Sequence, residues 1–236
     1  MDTRTFQIRR GGDRGRTELG WLHARHSFSF GGYFDPANTR FGTLRVLNDD
    51  VIDPGGGFGE HGHDNMEIIT WVLAGALEHG DNLGHRQLLR PGEVQVMSAG
   101  TGIRHSEHNA SQTEPVHLLQ IWILPAQRDT EPRYEQKTFD AADRLNRWDT
   151  LVSGRGGSGP LLIGQDAEMK VADLQPGREL TLEVPAGRSA YVHLARGDVE
   201  AADEKLTAGD AITLKDPEAL TLKGLSEAQL LWFDLG

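Results

Sequence analysis

The sequence predicts an all-β protein made of two similar halves. Three observations lead there. Gly is abundant, at 29 of 236 residues, while helical periodicity is scarce. Short apolar or alternating runs recur, most of them bounded by Gly, Pro, Asp or Asn, as in a β-sandwich or barrel. The order of these runs in the first half returns in the second.

In chain order the expected strands are TLRVLND, IITWVLAG, ALEHGD, RQLLR, VQVMSAG and VHLLQIWILP, then LTLEVP, AYVHLARG, AITLKD, ALTLKG and QLLWFDL. One helical patch is expected around Phe139 to Trp148, DAADRLNRW, with Asp140 as its N-cap. The repeat aligns WVLAGALEHGD with YVHLARGDVEA, LLRPGEVQVMSAG with KLTAGDAITLKD, and VHLLQIWIL with AQLLWFDL. Residues 149–160, DTLVSGRGGSGP, are Gly/Ser-rich and read as an exposed connection. With the joint near residue 140, the expected domains are 1–140 and 141–236.

Composition narrows the function classes. There is no cysteine, which excludes disulfides, thiolate zinc sites and cysteine nucleophiles. The net charge is -11 and no basic run exceeds Arg9-Arg10, so binding to a nucleic-acid backbone is not expected. No stretch approaches the roughly 18 apolar residues of a membrane span, and the start of the chain has no apolar run. A cytoplasmic protein is expected.

The chemistry concentrates in GGFGEHGHDNME and GTGIRHSEHN. Residues i and i+2 of a strand share a face. His61 and His63 therefore form one pincer, and His105 and Glu107 a second. Two such strands facing across a small barrel would bring three imidazoles and one carboxylate to a point, leaving positions open on a divalent transition metal. Fe(II) suits this donor set best, and Zn, Ni, Cu, Mn and Co also suit it. Glu107 is also the natural general base, since a carboxylate can detach and accept a proton. Glu67 keeps the parity of the first pincer, so it reads either as a ligand or as an acceptor orienting a histidine from behind. His79 is expected near the site, behind the ligands or on the surface. The other histidines read as solvated or structural.

These residues resemble the cupin family. Gly55 through His61, His63 and Glu67 looks like the first cupin motif, with Gly75 one residue late. SAGTGIRHSEHN looks like the second, with His105 and Asn109 at H-x3-N spacing and Ser98 in place of its Pro. HSFSFGGYFDP, FGTLRVLNDDVI, TWVLAGALEHGD and LLQIWILP followed by PRYEQ narrow the resemblance to the pirin subfamily over about residues 18–140, closest to bacterial pirin-like quercetin dioxygenases. Gly62 stands where that family usually has Pro, which predicts a less rigid pincer. The resemblance implies a bicupin of two jelly-roll barrels. It implies one metal held by His61, His63, His105 and Glu107, Glu67 outside the ligand set, and a metal-free C-terminal barrel.

The implied activity is cleavage of a flavonol or other aromatic enol by O₂, with Glu107 taking the proton of the 3-hydroxyl. Phe58, Trp71, Met97 and Ile103 are candidate pocket walls or plain core residues. The rival reading is a regulatory protein whose metal state governs binding of a transcription factor or a metabolic enzyme. A monomer is expected, because the second barrel supplies what a dimer of single cupins otherwise would.

Overall fold

The computed structural model describes residues 6–215 and 218–236. They form two compact units that interleave in sequence. The first comprises Arg14–Phe139 and Leu161–Gln165; the second comprises the described residues up to Asp13, Asp140–Pro160 and Asp166–Gly236. One boundary thus falls between Phe139 and Asp140. The strand Phe6–Arg9 belongs to the second unit because it pairs antiparallel with Ala211–Lys215. The 161–165 segment belongs to the first through main-chain and side-chain bonds, Ala126 N to Gly164 O and Gln165 Nε2 to Leu124 O.

Each unit has a large and a small sheet. In the first, the large sheet runs Arg133–Thr138, Glu93–Ser98, Glu67–Ala74, Val116–Ile123, Leu44–Ile52, Leu22–His26, Gly15–Glu18. Its small sheet runs Gly57–His63, Ile103–Asn109, Leu77–Asp81, Arg86–Leu89. In the second unit the sheet cores run Ala211–Lys215, Ser189–Arg196, Ala228–Leu235, Ala167–Leu174 and Glu179–Val184, Glu218–Gly224, Asp198–Ala201, Glu204–Thr207. Strand for strand, these orders match the first unit's Glu93–Ser98, Glu67–Ala74, Val116–Ile123, Leu44–Ile52 and its small sheet. The bicupin repeat read from the sequence is therefore a repeat of topology.

Two local expectations change. Asp140 does cap a helical turn, accepting from Ala142 N at 2.9 Å, but the turn is a 3-10 turn of three residues, Ala141–Asp143. Asn146, at φ 56, prevents its continuation as a helix. The expected 149–160 connection begins as the strand Asp149–Ser153, whose Leu151 and Val152 are buried against Ala167–Leu174. Two apolar β-branched or branched residues outweigh the Gly/Ser content that follows them. Among the described residues no helix is long and apolar enough to cross a membrane.

Strand patterns differ between the sheets for a physical reason. Ile103–Asn109 alternates, with Ile103, His105, Glu107 and Asn109 buried, as a strand with one wet face must. Glu67–Ala74 is buried at every position but the last, as a strand covered on both faces. The inward face of the first unit's large sheet is layered. Leu22, Ala24, Ile52, Val72, Val116 and Leu118 join Leu77 and Leu89 in one apolar layer; Ile68, Met97, Ala99 and Ile103 form another with Met66 and Trp122. Between them runs a polar row in cross-strand register: Gln136, Gln95, Thr70, Gln120, Asn48, His26.

Candidate metal centre

The two pincers meet in one antiparallel pair. His61 lies directly opposite His105, and His63 opposite Ile103. Close approach of these strands explains part of the glycine run. A Cβ on Gly57 would come within 2.5 Å of the Glu107 carbonyl oxygen. Gly62 is different: it pairs with Arg104 in the ladder and is not one of the glycines with positive φ.

The register shifts between His105 and Glu107, which faces Phe58. One residue, Ser106, is thus opposed by two on the other strand. This is a β-bulge at Gly59 and Glu60. It puts Phe58 and His61 on one face although they are three apart. The bulge also presents the Gly59 carbonyl to His61 Nδ1 at 2.9 Å, so that nitrogen donates and Nε2 keeps its lone pair.

The three rings pack around one point, with centroids 4.8 Å apart for His61 and His63, 4.5 Å for His61 and His105, and 4.9 Å for His63 and His105. One ligating nitrogen from each lies within 4.8 Å of the others. His63 Nε2 and His105 Nε2 are 3.0 Å apart. Burial, with the neighbouring His61, pushes His63 down to about 4. Burial, with His61, His63 and His79, pushes His105 down to about 2. Three imidazoles crowded this closely suit a shared divalent cation, which would use the converging lone pairs.

Glu107 reaches the cluster from the other side of His105. Its carboxylate, His105 and His79 form a second group with ligand atoms within 4.8 Å of one another. Gln120 Nε2 donates to both Glu107 oxygens, at 3.2 and 2.9 Å. Burial pushes Glu107 up to about 7, against the opposing Gln120 hydrogen bond. Thr70 Oγ1 donates to Gln120 Oε1 at 2.9 Å and so fixes which way the amide points. Asp50, also buried, has an Oδ1 without a hydrogen-bond partner, and burial holds its carboxyl well above the usual range.

His79 is fully buried, 3.4 Å from His105 Nδ1 through its own Nδ1, and its Nε2 donates to Asp81 Oδ2 at 3.0 Å. It stands behind His105, not on the surface. Glu67 does not. It accepts from Ser98 Oγ at 2.6 Å and from the Gly164 backbone. Strand parity turns it to the face of the large sheet opposite Thr70, because the chain turns after His63 and starts a new strand in a different sheet. The same parity turns Trp71 away from the histidines and makes it a core residue. Met97 and Ile103 do pack beside the site, together with Trp122, whose ring meets His63 edge-on at 4.9 Å. Phe58 lies 6.2 Å from His61, centroid to centroid, and packs on Trp21.

Asn109, the last residue of the second motif, serves the loop: it donates to the Ile52 and Glu114 carbonyls. Gln120, Trp122 and Asp81 were not singled out from the sequence. A signal existed, since Thr70, Gln95 and Gln120 are lone polar residues inside runs that are otherwise apolar. In the second unit the strand matching the first pincer presents Leu180, Leu182 and Val184 inward, to an apolar core.

Comparison with known proteins agrees with this architecture. A family model described as Pirin matches residues 7–123, and one described as Quercetinase C-terminal cupin domain matches residues 150–235. A protein of Escherichia coli strain K12 named quercetin 2,3-dioxygenase is 40% identical over 228 residues, 97% of each chain. A pirin-like protein of Caulobacter vibrioides is 42% identical over 221 residues, 93% of this chain and 95% of its own. The crystal structure of the bacterial pirin YhhW of E. coli in complex with nickel(II) is 39% identical, with a TM-score of 0.91 over 98% of each chain.

Proposed function

The chain belongs to the pirin family, and from that premise we propose that it is a metal-dependent dioxygenase that opens flavonols such as quercetin with O₂. His61, His63 and His105 would hold the divalent metal, with Glu107 as the fourth ligand or as a base beside it. Fe(II) is the proposed metal in the cell, and the protein is proposed to act as a monomer. When bound, the metal supplies Lewis acidity and a place for the substrate oxygen and O₂ to meet.

The observation that carries this reading is Glu107: a buried carboxylate, pushed up to about 7, on the same strand as His105 and held by Gln120. A base with its pKa near the working pH removes a proton most effectively. Glu107 takes the proton of the 3-hydroxyl, leaving an electron-rich enolate. The enolate and O₂ then give a ring-opened ester and carbon monoxide, with both oxygen atoms retained in the products. Gln120 holds the carboxylate in place, and Trp122, Met97 and Ile103 form an apolar wall beside His63.

The test is to load the purified protein with metal, add quercetin in air, and follow substrate absorbance together with released carbon monoxide. Metal-dependent loss of quercetin with stoichiometric carbon monoxide is expected. Its absence would remove flavonols as substrates.

A further inference from the structure

A line of hydrogen bonds runs from His105 away from the other two histidines. His105 Nδ1 faces His79 Nδ1 at 3.4 Å, and His79 Nε2 faces Asp81 Oδ2 at 3.0 Å. Neither His79 nor Asp81 has any exposed side-chain surface. Asp81 is itself fixed. Its Oδ1 accepts from the backbone N–H of Leu83 at 2.9 Å and of His85 at 3.0 Å, while His85 Nδ1 lies 3.0 Å from Oδ2. The Tyr134 ring stacks on both His79 and His85, with centroids 4.7 Å away in each case, which holds the two imidazole planes.

The line has a direction. An ionised carboxylate only accepts, so the proton of this contact sits on His79 Nε2. A neutral imidazole carries one ring proton, so with that proton on Nε2 the His79 Nδ1 is a lone pair, the acceptor that a contact between two ring nitrogens requires. The nitrogen facing it, His105 Nδ1, must then carry a proton. That leaves His105 Nε2 as the lone pair, aimed at His63 Nε2.

We propose that Asp81, acting through His79, fixes His105 in the tautomer whose Nε2 can bind the metal. Asp81 and His79 are positioning residues; the contacts place Asp81 one imidazole away from the ligand. The inference rests on the three-histidine metal centre proposed above, and not on the identity of the substrate.

Asp81→Asn makes a sharp test because the two backbone donors demand oxygen at the Oδ1 position. The amide nitrogen then takes the Oδ2 position and donates to His79 Nε2. His79 is forced to protonate Nδ1, which in turn forces His105 to protonate Nε2, the ligand atom. Asp81→Ala only releases His79 to choose. Nickel(II) affinity, measured by chelator competition, should fall about 10-fold in Asp81→Ala and about 100-fold in Asp81→Asn. His79→Gln, which keeps an acceptor for His105 Nδ1–H, should bind nickel more tightly than His79→Leu.

Long-range ¹H–¹⁵N spectra of the metal-free wild type should show His105 protonated on Nδ1, a measurement that needs no variant to fold. Wild-type affinity in Asp81→Asn, a milder effect in Asp81→Asn than in Asp81→Ala, or an Nε2–H tautomer in the wild type would each overturn the proposal. None of these readouts uses a flavonol. A protein that shows the predicted tautomer and affinities but turns over no quercetin would sink the dioxygenase reading alone.

Discussion

His105 lies directly across an antiparallel strand pair from His61, their ring centroids 4.5 Å apart, whereas Glu107 faces Phe58 and not Gly59. The bulge between these two registers separates the roles of neighbouring side chains. His105 closes the triangle of imidazoles, and Glu107 is carried toward Gln120 and the polar row. A regular ladder would have kept both residues in step with the first pincer.

Replacing Glu107 by Gln should lower quercetin turnover by roughly 10²- to 10⁴-fold, the usual worth of a positioned general base. Nickel content should stay near that of the wild type, because three imidazoles remain. In the wild type, kcat/KM should climb with pH until the base is deprotonated, and a divalent cation beside Glu107 should bring that limb below the value of about 7 set by burial alone. Full activity in Glu107→Gln would remove Glu107 as the base.

Gln120→Leu should move that ascending limb to higher pH. The Gln120 hydrogen bond is what opposes the upward push of burial on Glu107. Without it the carboxyl is harder to ionise. A pH–rate profile of the variant beside the wild type measures the displacement; an unchanged limb would show that Gln120 does not tune the base.

The same group makes a stability prediction for metal-free protein. Glu107 sits near 7 in the fold and near its ordinary 4.5 when unfolded. The folded state then holds more protons between these values, so stability falls as pH rises from 4.5 to 7. Metal-free Glu107→Gln should therefore melt at a higher temperature than metal-free wild type at alkaline pH, and the difference should shrink as pH falls toward 4.5. Scanning calorimetry across that window checks both ends.

Bound nickel should survive mild acid. Burial and crowding push His63 down to about 4 and His105 down to about 2, so protons compete poorly for these nitrogens. Nickel should remain at about pH 5.5, where ordinary imidazoles are mostly protonated. Elemental analysis after gel filtration at stepped pH follows the release, and loss of half the metal already at about pH 6.5 would contradict the expectation.

On the opposite face of the large sheet, Ser98→Ala removes the hydroxyl donor of Glu67, and Trp71→Ala leaves a cavity. About 1–3 kcal/mol of stability should go with the first and about 3–5 with the second. Nickel affinity should be unchanged in both. Denaturant melts paired with chelator competition separate the two effects; weakened nickel binding in Ser98→Ala would bring Glu67 back to the metal centre.

Most of the fold was legible because its signal is local. Alternation at period two, turn residues at strand ends and the repeated order of runs can be read along the chain, and both pincers follow from i, i+2 spacing alone. Glu67 and Trp71 were harder. Parity counts only within one strand, and the turn after His63 starts a second strand in another sheet. Gln120 and Asp81 were harder still, since each matters through a partner on another strand.

The sequence by itself determined two all-β repeats, the His61–His63 and His105–Glu107 pincers, and a C-terminal half with Leu180 and Leu182 where the first half has histidines. Tertiary structure decided the rest: the bulge that offsets Glu107, the polar row that holds it, the Asp81–His79 line behind His105, and the face to which Glu67 and Trp71 turn. The physical reason is register. Which residue a side chain meets across a sheet depends on how distant strands are aligned, and a single extra residue in one strand changes every contact beyond it.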